Sequence, residues 1–583
     1  MSTKFRVWAP HAREASVVIG EHLRTCTPEP GGYFSTELLP DGADYFVRLD
    51  GHDYPDPRSR FQPRGIAGPS RWVPDAFDWE DQQFRALPLS AAVIYELHIG
   101  TFTSEGTLVA AMEKEKLDHL VALGVTHVEL MPLNTFPGRW GWGYDGVNLF
   151  APHPHYGTPD DLKRFVARCH ARGLAVLIDV VYNHLGPDGN QLPQFGPYFT
   201  NKYQTPWGSA VNLDGPGSDE VRRFFIDNAC MWLEQYHFDG LRLDAVHALC
   251  DESAQHLLQE LSAAVHALEP SLGKPLCVIA ESDQNDPRLV TNPELGGFGM
   301  DAQWSDDLHH ALHAVLTNET KGYYSDFGRI EHIARALTQG FVYAGQYSEF
   351  RQRKHGRDLG EISGHRLLAY LQNHDQVGNR ARGERIGHLT SEGLARIGAA
   401  LVFISPFVPM LFQGEEWGAS TPFQYFTDHQ NPELAEAVRR GRREEFRAFG
   451  GEPNQVPDPQ AEATFRASQL DWNELDRKTH HDQLEFYKAL TTLRRNNPDL
   501  LDGRRDQVQV SFDEDARWLR VQRGAVTLLA NLGRELRELP RPAGKLELSQ
   551  PRLAPPHSVT HSGSFVLEPE SCYIFVSDPD GDA

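Results

Sequence analysis

Hydrophobic and polar positions follow three successive patterns along the chain, and each pattern predicts a different kind of structure. In residues 1–88 they alternate between glycine and proline turns, as in FRVWAP (5–10), ASVVIG (15–20) and YFVRLDG (45–51). A period of two is typical of strands that are buried on one face. We therefore expect residues 1–88 to form an N-terminal, immunoglobulin-like β-sandwich.

Between residues 89 and 502, short apolar runs alternate with amphipathic stretches, which is the pattern of parallel strands joined by crossover helices. Eight runs, each followed by a helical stretch, predict an α/β fold of the (β/α)8 TIM barrel type. An open doubly wound sheet is less favoured because no GxGxxG motif follows the first run. The expected strands lie at 92–100, 125–133, 174–184, 238–246, 275–282, 301–304, 365–375 and 408–416.

Two long segments interrupt the barrel pattern. Residues 185–217 follow the third run and are rich in glycine, proline and aromatic residues, and residues 419–479 follow the eighth run. In the second insertion Asn431-Pro432 predicts a helix start, because asparagine is a good N-cap and proline fits the first turn. Alternation returns in residues 503–583, which predicts a C-terminal β-sandwich domain.

Charge and cysteine spacing exclude several classes of partner. The chain has 56 lysine and arginine residues against 80 aspartate and glutamate residues, a formal net charge of −24. This acidity disfavours nucleic acid and anionic membranes as partners. The six cysteines form no CxxC pair, and the amino terminus has no apolar run behind a basic start, so we expect a protein of the reducing cytoplasm. We expect no cofactor, and the pattern indicates no oligomeric state.

Acidic side chains collect at the carboxyl ends of the predicted strands, where barrel enzymes place their active sites. Asp244 ends the fourth strand, Glu281 the fifth and Asp375 the seventh. One such acid alone is more simply explained as a helix cap or an ion pair, but several at one rim indicate function. Two carboxyl groups about 5–5.5 Å apart perform double-displacement glycoside hydrolysis, in which one attacks the anomeric carbon and the other protonates the leaving oxygen.

The neighbours of two of these acids suit that chemistry. Arg242 lies two residues before Asp244, so in a strand both side chains face the same side. Its guanidinium would orient Asp244 and favour its charged form, as a nucleophile needs. Glu281 follows the apolar run CVIA, and an apolar setting suits a general acid because it raises the pKa of a carboxyl group.

Four segments resemble the short sequence regions of the alpha-amylase family. By that resemblance Asp244 is the nucleophile, Glu281 is the general acid/base, and Asp375 distorts and holds the sugar. The resemblance implies a retaining glycoside hydrolase or transferase on a TIM barrel. The matching segments are DVVYNH (179–184), GLRLDAVH (240–247), AES (280–282) and NHD (373–375).

The same resemblance assigns sugar-binding roles at the cleavage site. His184, Arg242 and His374 would bind the sugar there, and Tyr144 would stack on it. Trp142 lies beside Tyr144 in GWGYDG (141–146) and is the aromatic residue we expect to face a sugar ring. Further aromatic candidates, about half of which we expect to be packing residues, are Trp140, Tyr156, Trp207, Trp304 and Trp417.

Many amylases bind calcium beside the residue that Asn183 resembles. Calcium needs 6–8 oxygen ligands, and residues 185–217 contain no aspartate-rich cluster. We therefore predict that no metal is required.

Other segments resemble one branch of this family. FRVWAP, YELHIGTF (95–102) and residues 142–163 are similar to both glycogen branching enzymes and maltooligosyltrehalose trehalohydrolases. Six further segments are similar to the trehalohydrolases, and the resemblance implies hydrolysis of the α-1,4 bond next to the terminal trehalose of maltooligosyl trehalose. These segments are IAESDQNDPRLV (279–290), DAQWSDDLHHALH (301–313), GFVYAGQYSEFR (340–351), QNHDQVGNR (372–380), FTDH (426–429) and GRREEF (441–446).

That substrate would require specificity on the leaving-group side, and the insertions 185–217 and 419–479 are the candidates to build it. Three alternatives stay open at this point. The first is a branching enzyme with an open acceptor groove, and the second is a debranching or general maltooligosaccharide hydrolase. The third is a non-catalytic barrel that serves as a binding or partner-folding module. The last is least favoured because all three acids and their arginine and histidine neighbours are present.

Overall fold

The protein is represented by a computed structural model that describes residues 4–448, 456–551 and 563–577. Residues 449–455 of the second predicted insertion, and parts of the predicted C-terminal domain, lie outside the described residues. All six cysteines carry free thiols. In the described ranges, no helix combines the length and the apolar character needed to cross a bilayer.

The N-terminal region consists of two antiparallel sheets. One contains Lys4–Trp8, Tyr33–Glu37 and Thr27–Glu29, in that order. Side chains of Asp44–Leu49 alternate between half-buried and buried, as the sequence pattern predicts. The second sheet contains, in spatial order, His22–Thr25, Ala15–Ile19, Asp44–Leu49 and His52–Tyr54, with Ser70–Arg71 also paired to Asp44–Leu49.

Eight parallel strands form a closed barrel in which neighbours in the chain are neighbours in space. Each strand lies inside one of the eight predicted runs, so the barrel prediction is confirmed. The strands are short and buried on both faces, which explains why their sequences read as apolar runs without alternation. They are β1 (Ile94–Leu97), β2 (His127–Leu130), β3 (Ala175–Val180), β4 (Gly240–Leu243), β5 (Cys277–Ala280), β6 (Ala302–Trp304), β7 (Leu367–Tyr370) and β8 (Val408–Phe412).

Helices follow most strands, but one crossover differs from the prediction. Residues 281–301, all of them described, form only the 3-10 turns Pro287–Leu289 and Pro293–Leu295 after β5. The prolines explain this because they remove backbone donors and restrict the residue before them. The main helices are α1 (Lys114–Leu123), α2 (Pro159–His170), α3 (Ser218–Gln235), α4 (Leu257–His266), α5 (Asp306–Thr317), α6 (Ile330–Gln339), α7 (Glu392–Ile404), α8 (Pro432–Ala448) and α9 (Lys478–Asn496).

The two insertions carry structure of their own. Residues 185–217 contain the short helix Leu192–Phe195 and a hairpin of Phe199–Thr205 with Gly208–Val211. In the second insertion, the Asn431 side chain accepts hydrogen bonds from the backbone nitrogens of Glu433 (2.9 Å) and Leu434 (3.2 Å). The predicted helix start is therefore confirmed.

The C-terminal region is again antiparallel. A two-stranded sheet of Arg537–Pro540 and Ser564–Leu567 accompanies a larger one. Leu529 and Phe565 belong to a separate hydrophobic cluster between the sheets. The larger sheet contains, in spatial order, Val508–Asp513, Trp518–Arg523, Val526–Asn531, Ser571–Val576 and Lys545–Gln550.

Candidate active site

The predicted acids meet at one rim of the barrel, where β4, β5 and β7 end. Asp244 follows directly after β4, and two neighbours hold its carboxylate. Arg242 Nη1 donates to Asp244 Oδ1 at 3.0 Å, and Asn183 Nδ2 donates to Asp244 Oδ2 at 2.8 Å. The side chain of Asp244 is about one-eighth exposed, at 13 %, so one edge of it remains open to the cavity.

A tight turn joins Asp244 to Glu281. Ala245 has a φ of 39°, in the left-handed region, and its backbone N–H donates to Glu281 Oε2. Arg242 Nη2 lies 3.8 Å from the same Glu281 oxygen. A single guanidinium therefore contacts both the predicted nucleophile and the predicted acid, and the left-handed turn directs a backbone donor at the acid.

Burial controls the protonation of the acid. The pKa of Glu281 is raised well above its ordinary value, chiefly by burial, against the opposing charge of Arg242 and with repulsion from Asp244, Asp306 and Asp375. A raised pKa favours the protonated form of a carboxyl group, which is the form that a general acid needs. The sequence-based expectation for Glu281 therefore agrees with its surroundings.

Asp375 lies in a single helical turn, His374–Gly378, after β7. Its Oδ1 accepts a hydrogen bond from Asn379 Nδ2 at 2.5 Å. Arg442 of α8 reaches the same place, because its guanidinium donates to Asn379 Oδ1 (3.2 Å) and to the Gly378 carbonyl (3.0 Å). The second insertion thus supports Asp375 through Asn379.

Tyr144 and His374 form a stacked pair below the acids. Their ring centroids lie 5.2 Å apart with an interplanar angle of 21°. The Tyr144 hydroxyl donates to Asp179 Oδ2 at 2.6 Å and lies 2.9 Å from His374 Nε2. Arg242 Nη1 also donates to Asp179 Oδ2, at 2.6 Å, so the two aromatic rings are tied to the arginine that holds Asp244.

His184 and Trp142 line the same side of the site. His184 Nε2 is 2.9 Å from the Tyr144 carbonyl oxygen, and its ring stacks on Trp207 at 4.4 Å. Trp142 is only 5 % exposed, because Phe423 stacks on it and its Nε1 donates to the Gln424 carbonyl. Trp142 lines the nucleophile-side cavity, and direct sugar contact by its ring stays a prediction.

Of the other five aromatic candidates, Trp207 lines a cavity, and the remaining four pack against other side chains. Trp207 is 48 % exposed at the tip of the hairpin in residues 185–217, and Trp304 lies under the Arg242 guanidinium at 4.3 Å. Trp417 is fully buried beside Trp472, and Trp140 stacks on Phe465. Tyr156 is buried and hydrogen-bonded to His98.

Two cavities meet at the acids. The nucleophile-side cavity, about 340 Å³, is lined by Asp244 together with the predicted sugar-binding residues. The acid-side cavity, about 490 Å³, lies across Glu281 and Asp375 and does not include Asp244. The nucleophile-side lining includes Trp142, Tyr144, His184, Arg242 and His374, and the acid-side lining includes Asp306, Tyr323, Phe350, Arg351 and Phe446.

The two insertions differ in the cavities that they line. Residues 185–217 supply Trp207 to the nucleophile-side cavity, and none of the residues that line the acid-side cavity belongs to this segment. Because strand order runs in sequence around the barrel, a loop after β3 lies beside Asp244, whereas the loops after β6 and β7 lie beside Glu281. Residues 419–479 supply Glu445 and Phe446 to the acid-side cavity. Which insertion builds the leaving-group side stays a prediction.

Sequence reasoning missed two acids near the site, one half-buried and one buried. Asp306 follows β6 and accepts a hydrogen bond from the Tyr370 hydroxyl at 2.5 Å, and burial raises its pKa to about 7. The rule that found the other acids also covers Asp306, but β6 has only three residues and its pattern is weak. Glu96 stands inside β1 and accepts hydrogen bonds from His374. The feature of the sequence that could have identified Glu96 is a charged residue within an otherwise apolar strand.

The surroundings of Asn183 bear on the metal question. Its amide nitrogen donates to the backbone and side-chain oxygens of Asp244, both at 2.8 Å, and its Oδ1 lies 2.5 Å from His184 Nδ1. In the part of the chain that the structure describes, no group of three or more histidine, cysteine, aspartate or glutamate residues is arranged to hold a metal ion. That no metal is required stays a prediction.

Two family profiles match parts of the chain. A family profile described as "Alpha amylase, catalytic domain" matches residues 103–203, which include Tyr144 and His184. A second profile, described only as a domain of unknown function (DUF3459), matches residues 503–573.

Curated relatives match over most of the chain. A malto-oligosyltrehalose trehalohydrolase of Arthrobacter ramosus is 52 % identical over 85 % of this chain and 88 % of its own length. One from Rhizobium sp. (strain M-11) is 47 % identical over 94 % of each chain. Among solved structures, an alpha amylase-like protein from Salmonella typhimurium superposes with a TM-score of 0.89 at 35 % identity, covering 99 % of this chain and 97 % of that one.

Proposed function

The chain belongs to the malto-oligosyltrehalose trehalohydrolases of the alpha-amylase family, and on this premise we propose that Asp244, Glu281 and Asp375 carry out its reaction by retaining double displacement. The protein is a glycoside hydrolase that acts on maltooligosyl trehalose. It cleaves the α-1,4 bond next to the terminal trehalose and releases trehalose and a shortened maltooligosaccharide. The alternatives of a branching enzyme and a general maltooligosaccharide hydrolase are set aside by this family assignment.

The observation that carries the catalytic proposal is the shared guanidinium of Arg242. It lies 3.0 Å from Asp244 Oδ1 and 3.8 Å from Glu281 Oε2, so the two carboxyl groups stand on either side of one fixed cation. Retaining glycosidases need two carboxyl groups close enough for one to attack while the other protonates. The buried Arg242 supplies the fixed geometry, since Asp179 holds its Nη1 from below at 2.6 Å.

In the first step, Glu281 gives its proton to the glycosidic oxygen of the departing trehalose. Asp244 attacks the anomeric carbon, so the C1–O bond to trehalose breaks and a glucosyl ester on Asp244 forms. Asp375 accepts hydrogen bonds from the hydroxyls of the distorted sugar. Tyr144, His184, Arg242 and His374 surround that sugar in the nucleophile-side cavity.

In the second step, Glu281 has become a carboxylate and acts as a base. It takes a proton from water, whose oxygen attacks the anomeric carbon, and Asp244 leaves as a carboxylate. Both steps invert the anomeric centre, so the α configuration is retained. The proton that Glu281 gave away is recovered, and the enzyme returns to its starting state.

The acid-side cavity is the place for the leaving trehalose. It borders Glu281 on the side away from Asp244, and its Tyr323 and Phe350 rings and the Arg351–Asp283 ion pair (2.8 Å) offer apolar faces and fixed charges. A site that hydrogen-bonds particular hydroxyls rejects analogues that lack them. We propose that this cavity distinguishes a 1,1-linked disaccharide from maltose.

Two further expectations are proposals from composition and pattern. We propose domain limits of 1–88, 89–502 and 503–583. A cytoplasmic site of action and the absence of nucleic-acid partners are proposed from the net charge and the cysteine pattern.

Substituting Asp244→Asn tests the catalytic roles. An amide of the same shape cannot form the glucosyl ester, so we expect kcat to fall at least about 10³-fold. The unfolding midpoint should stay close to that of the wild type. Proton NMR of fresh wild-type product should show the α anomer first. Near-normal turnover by the variant, or an initial β anomer, would refute the proposed mechanism.

A further inference from the structure

The β1 strand carries a buried glutamate that the mechanism leaves unused. Glu96 is 1 % exposed inside the barrel, and both of its carboxylate oxygens contact His374. Oε1 lies 2.5 Å from His374 Nδ1, and Oε2 accepts the His374 backbone N–H at 2.8 Å. The His374 imidazole is therefore fixed at its inner nitrogen and at its backbone by one side chain.

The hydrogen bonds on the far side of the ring define its protonation. The Tyr144 hydroxyl has one proton, and its shortest contact is to Asp179 Oδ2 at 2.6 Å. Since that proton is directed at Asp179, the 2.9 Å contact between Tyr144 and His374 Nε2 needs its proton from the imidazole. His374 Nδ1 also needs a proton, to donate to Glu96. Both ring nitrogens then carry hydrogens, and the ring is an imidazolium paired with Glu96.

We propose that Glu96 is a positioning residue that holds His374 as an imidazolium in the sugar site, with Tyr144 fixed in turn by the Nε2 proton. The inference rests on the proposed function, because it assigns His374 and Tyr144 to the sugar at the cleavage site. Glu96 itself touches neither sugar nor the reacting atoms. Its effect on the reaction passes through the orientation and charge of His374.

The charged and titratable groups that face His374 come from several elements. Glu96 on β1 and the neighbouring Asp375 favour its charged form, and Arg242 on β4 opposes it. Burial also opposes the charge, yet the pKa of His374 is raised above its ordinary value. Tyr144 lies against its Nε2, and His98 is a further buried imidazole nearby.

The barrel supplies a matched control in Glu129. It lies on β2, in register with Glu96 across the parallel pair, and is equally buried. Burial, with repulsion from Glu96, raises the pKa of Glu129 well above its ordinary value, which favours the uncharged form that an amide resembles. Glu129 has no described contact with His374. The E129Q variant therefore measures how much a glutamine at this depth of the barrel changes kcat by itself.

The experiment compares Glu96→Gln and Glu129→Gln by trehalose release from maltotriosyl trehalose across pH. We expect E96Q to lower kcat about 10- to 100-fold, as misplacement of a sugar-site group does. The alkaline limb of its kcat/KM profile should move to lower pH, because His374 loses its proton more easily without a carboxylate partner. E129Q should keep the wild-type kcat within about 3-fold and an unmoved alkaline limb.

Two further variants separate positioning from support of the fold. In a His374→Gln background, adding E96Q should change kcat less than about 2-fold, because the imidazole through which Glu96 acts is gone and a glutamine oxygen at position 96 can still accept the backbone N–H of residue 374. Glu96→Asp keeps the charge but shortens the side chain, so it should lose activity without the shift of the alkaline limb. It also serves as the test variant if E96Q does not fold.

The inference is overturned if E96Q behaves like E129Q, if its penalty persists in the His374→Gln background, or if E96D has wild-type kcat. Failure of the proposed function looks different. In that case the wild-type protein itself would release no trehalose from maltotriosyl trehalose, whatever residue stands at position 96.

Discussion

Glu281 shows how one carboxyl group is prepared by its immediate neighbours. The Ala245 N–H fixes one oxygen, and the partly open side chain, 18 % exposed, borders both cavities. Burial is the main cause of its raised pKa, and the surrounding acids add to it. The group therefore enters the reaction as an acid and, after giving up its proton, is ready to take one back from water.

The substitution Glu281→Gln should stabilise the fold while abolishing activity. The folded protein holds the Glu281 proton more tightly than the unfolded chain does, so the stability from that proton is complete below the ordinary glutamate pKa of about 4.3 and is lost as pH rises through the raised value. Above that pH, the free energy of unfolding of E281Q should exceed that of the wild type by about 1 kcal/mol or more, since each pKa unit corresponds to about 1.4 kcal/mol.

Urea unfolding at pH 5 and pH 8 measures this difference, which should be larger at pH 8. We expect kcat of E281Q to fall at least about 10³-fold on a substrate whose leaving group needs protonation. A variant that is less stable than the wild type at pH 8 would contradict the stated cause of the pKa shift.

At this scale the sequence predicts the acids that end clear strands. Asp244, Glu281 and Asp375 each follow a run of apolar residues, and the strand-end rule found all three. Asp306 and Glu96 were missed for different reasons. The first follows a strand too short to show a pattern, and the second points into the barrel from mid-strand, where only three-dimensional pairing with His374 reveals a role.

Helix α8 shows how an inserted element reaches the chemistry. It begins at the capped Asn431-Pro432 pair, and its Arg442 contacts Asn379, which in turn holds Asp375. Arg442 is also stacked near the Tyr425 ring, 4.9 Å from its centroid. Two successive hydrogen bonds therefore connect the second insertion to Asp375.

Substituting Arg442→Ala should lower kcat about 10-fold, because Asn379 then loses the contact that fixes its side chain against Asp375. The matched control is Arg443→Ala, which removes the same charge at an exposed position one residue further along α8. Steady-state kinetics of trehalose release compares the two. Equal kinetics for R442A and R443A would mean that α8 does not support Asp375.

Elements were predictable where local pattern sufficed. The eight strands lie within their predicted runs, because strands buried on both faces must be apolar throughout. The helix expected after β5 is replaced by two 3-10 turns that contain proline. The prolines in DPRLVTNPEL (286–295) indicate this locally, but the prediction followed the alternation of strands and helices along the chain. The position of the 185–217 hairpin depends on barrel topology, which insertion length alone does not reveal.

At the scale of the whole molecule, the barrel rim is divided into two cavities by Glu281 and Asp375. The N-terminal region contacts the barrel domain at two places. Arg58 pairs with Asp227 of α3 at 2.7 Å, and Trp8 packs edge-on against Tyr198 of the 185–217 insertion at 5.5 Å. None of these four residues lines either cavity. We therefore expect residues of the barrel and its loops to determine the substrate specificity of the enzyme.

The most direct test of the function is a comparison of two substrates of equal length by wild-type protein. Maltotriosyl trehalose and maltopentaose each contain five glucose units, and they differ in the linkage of the terminal disaccharide. We predict rapid release of trehalose from the first and at least about 100-fold slower release of maltose from the second, because a site built to bind particular hydroxyls rejects a partner that misplaces them. Equal rates on the two substrates would contradict the assignment of this protein as a trehalohydrolase.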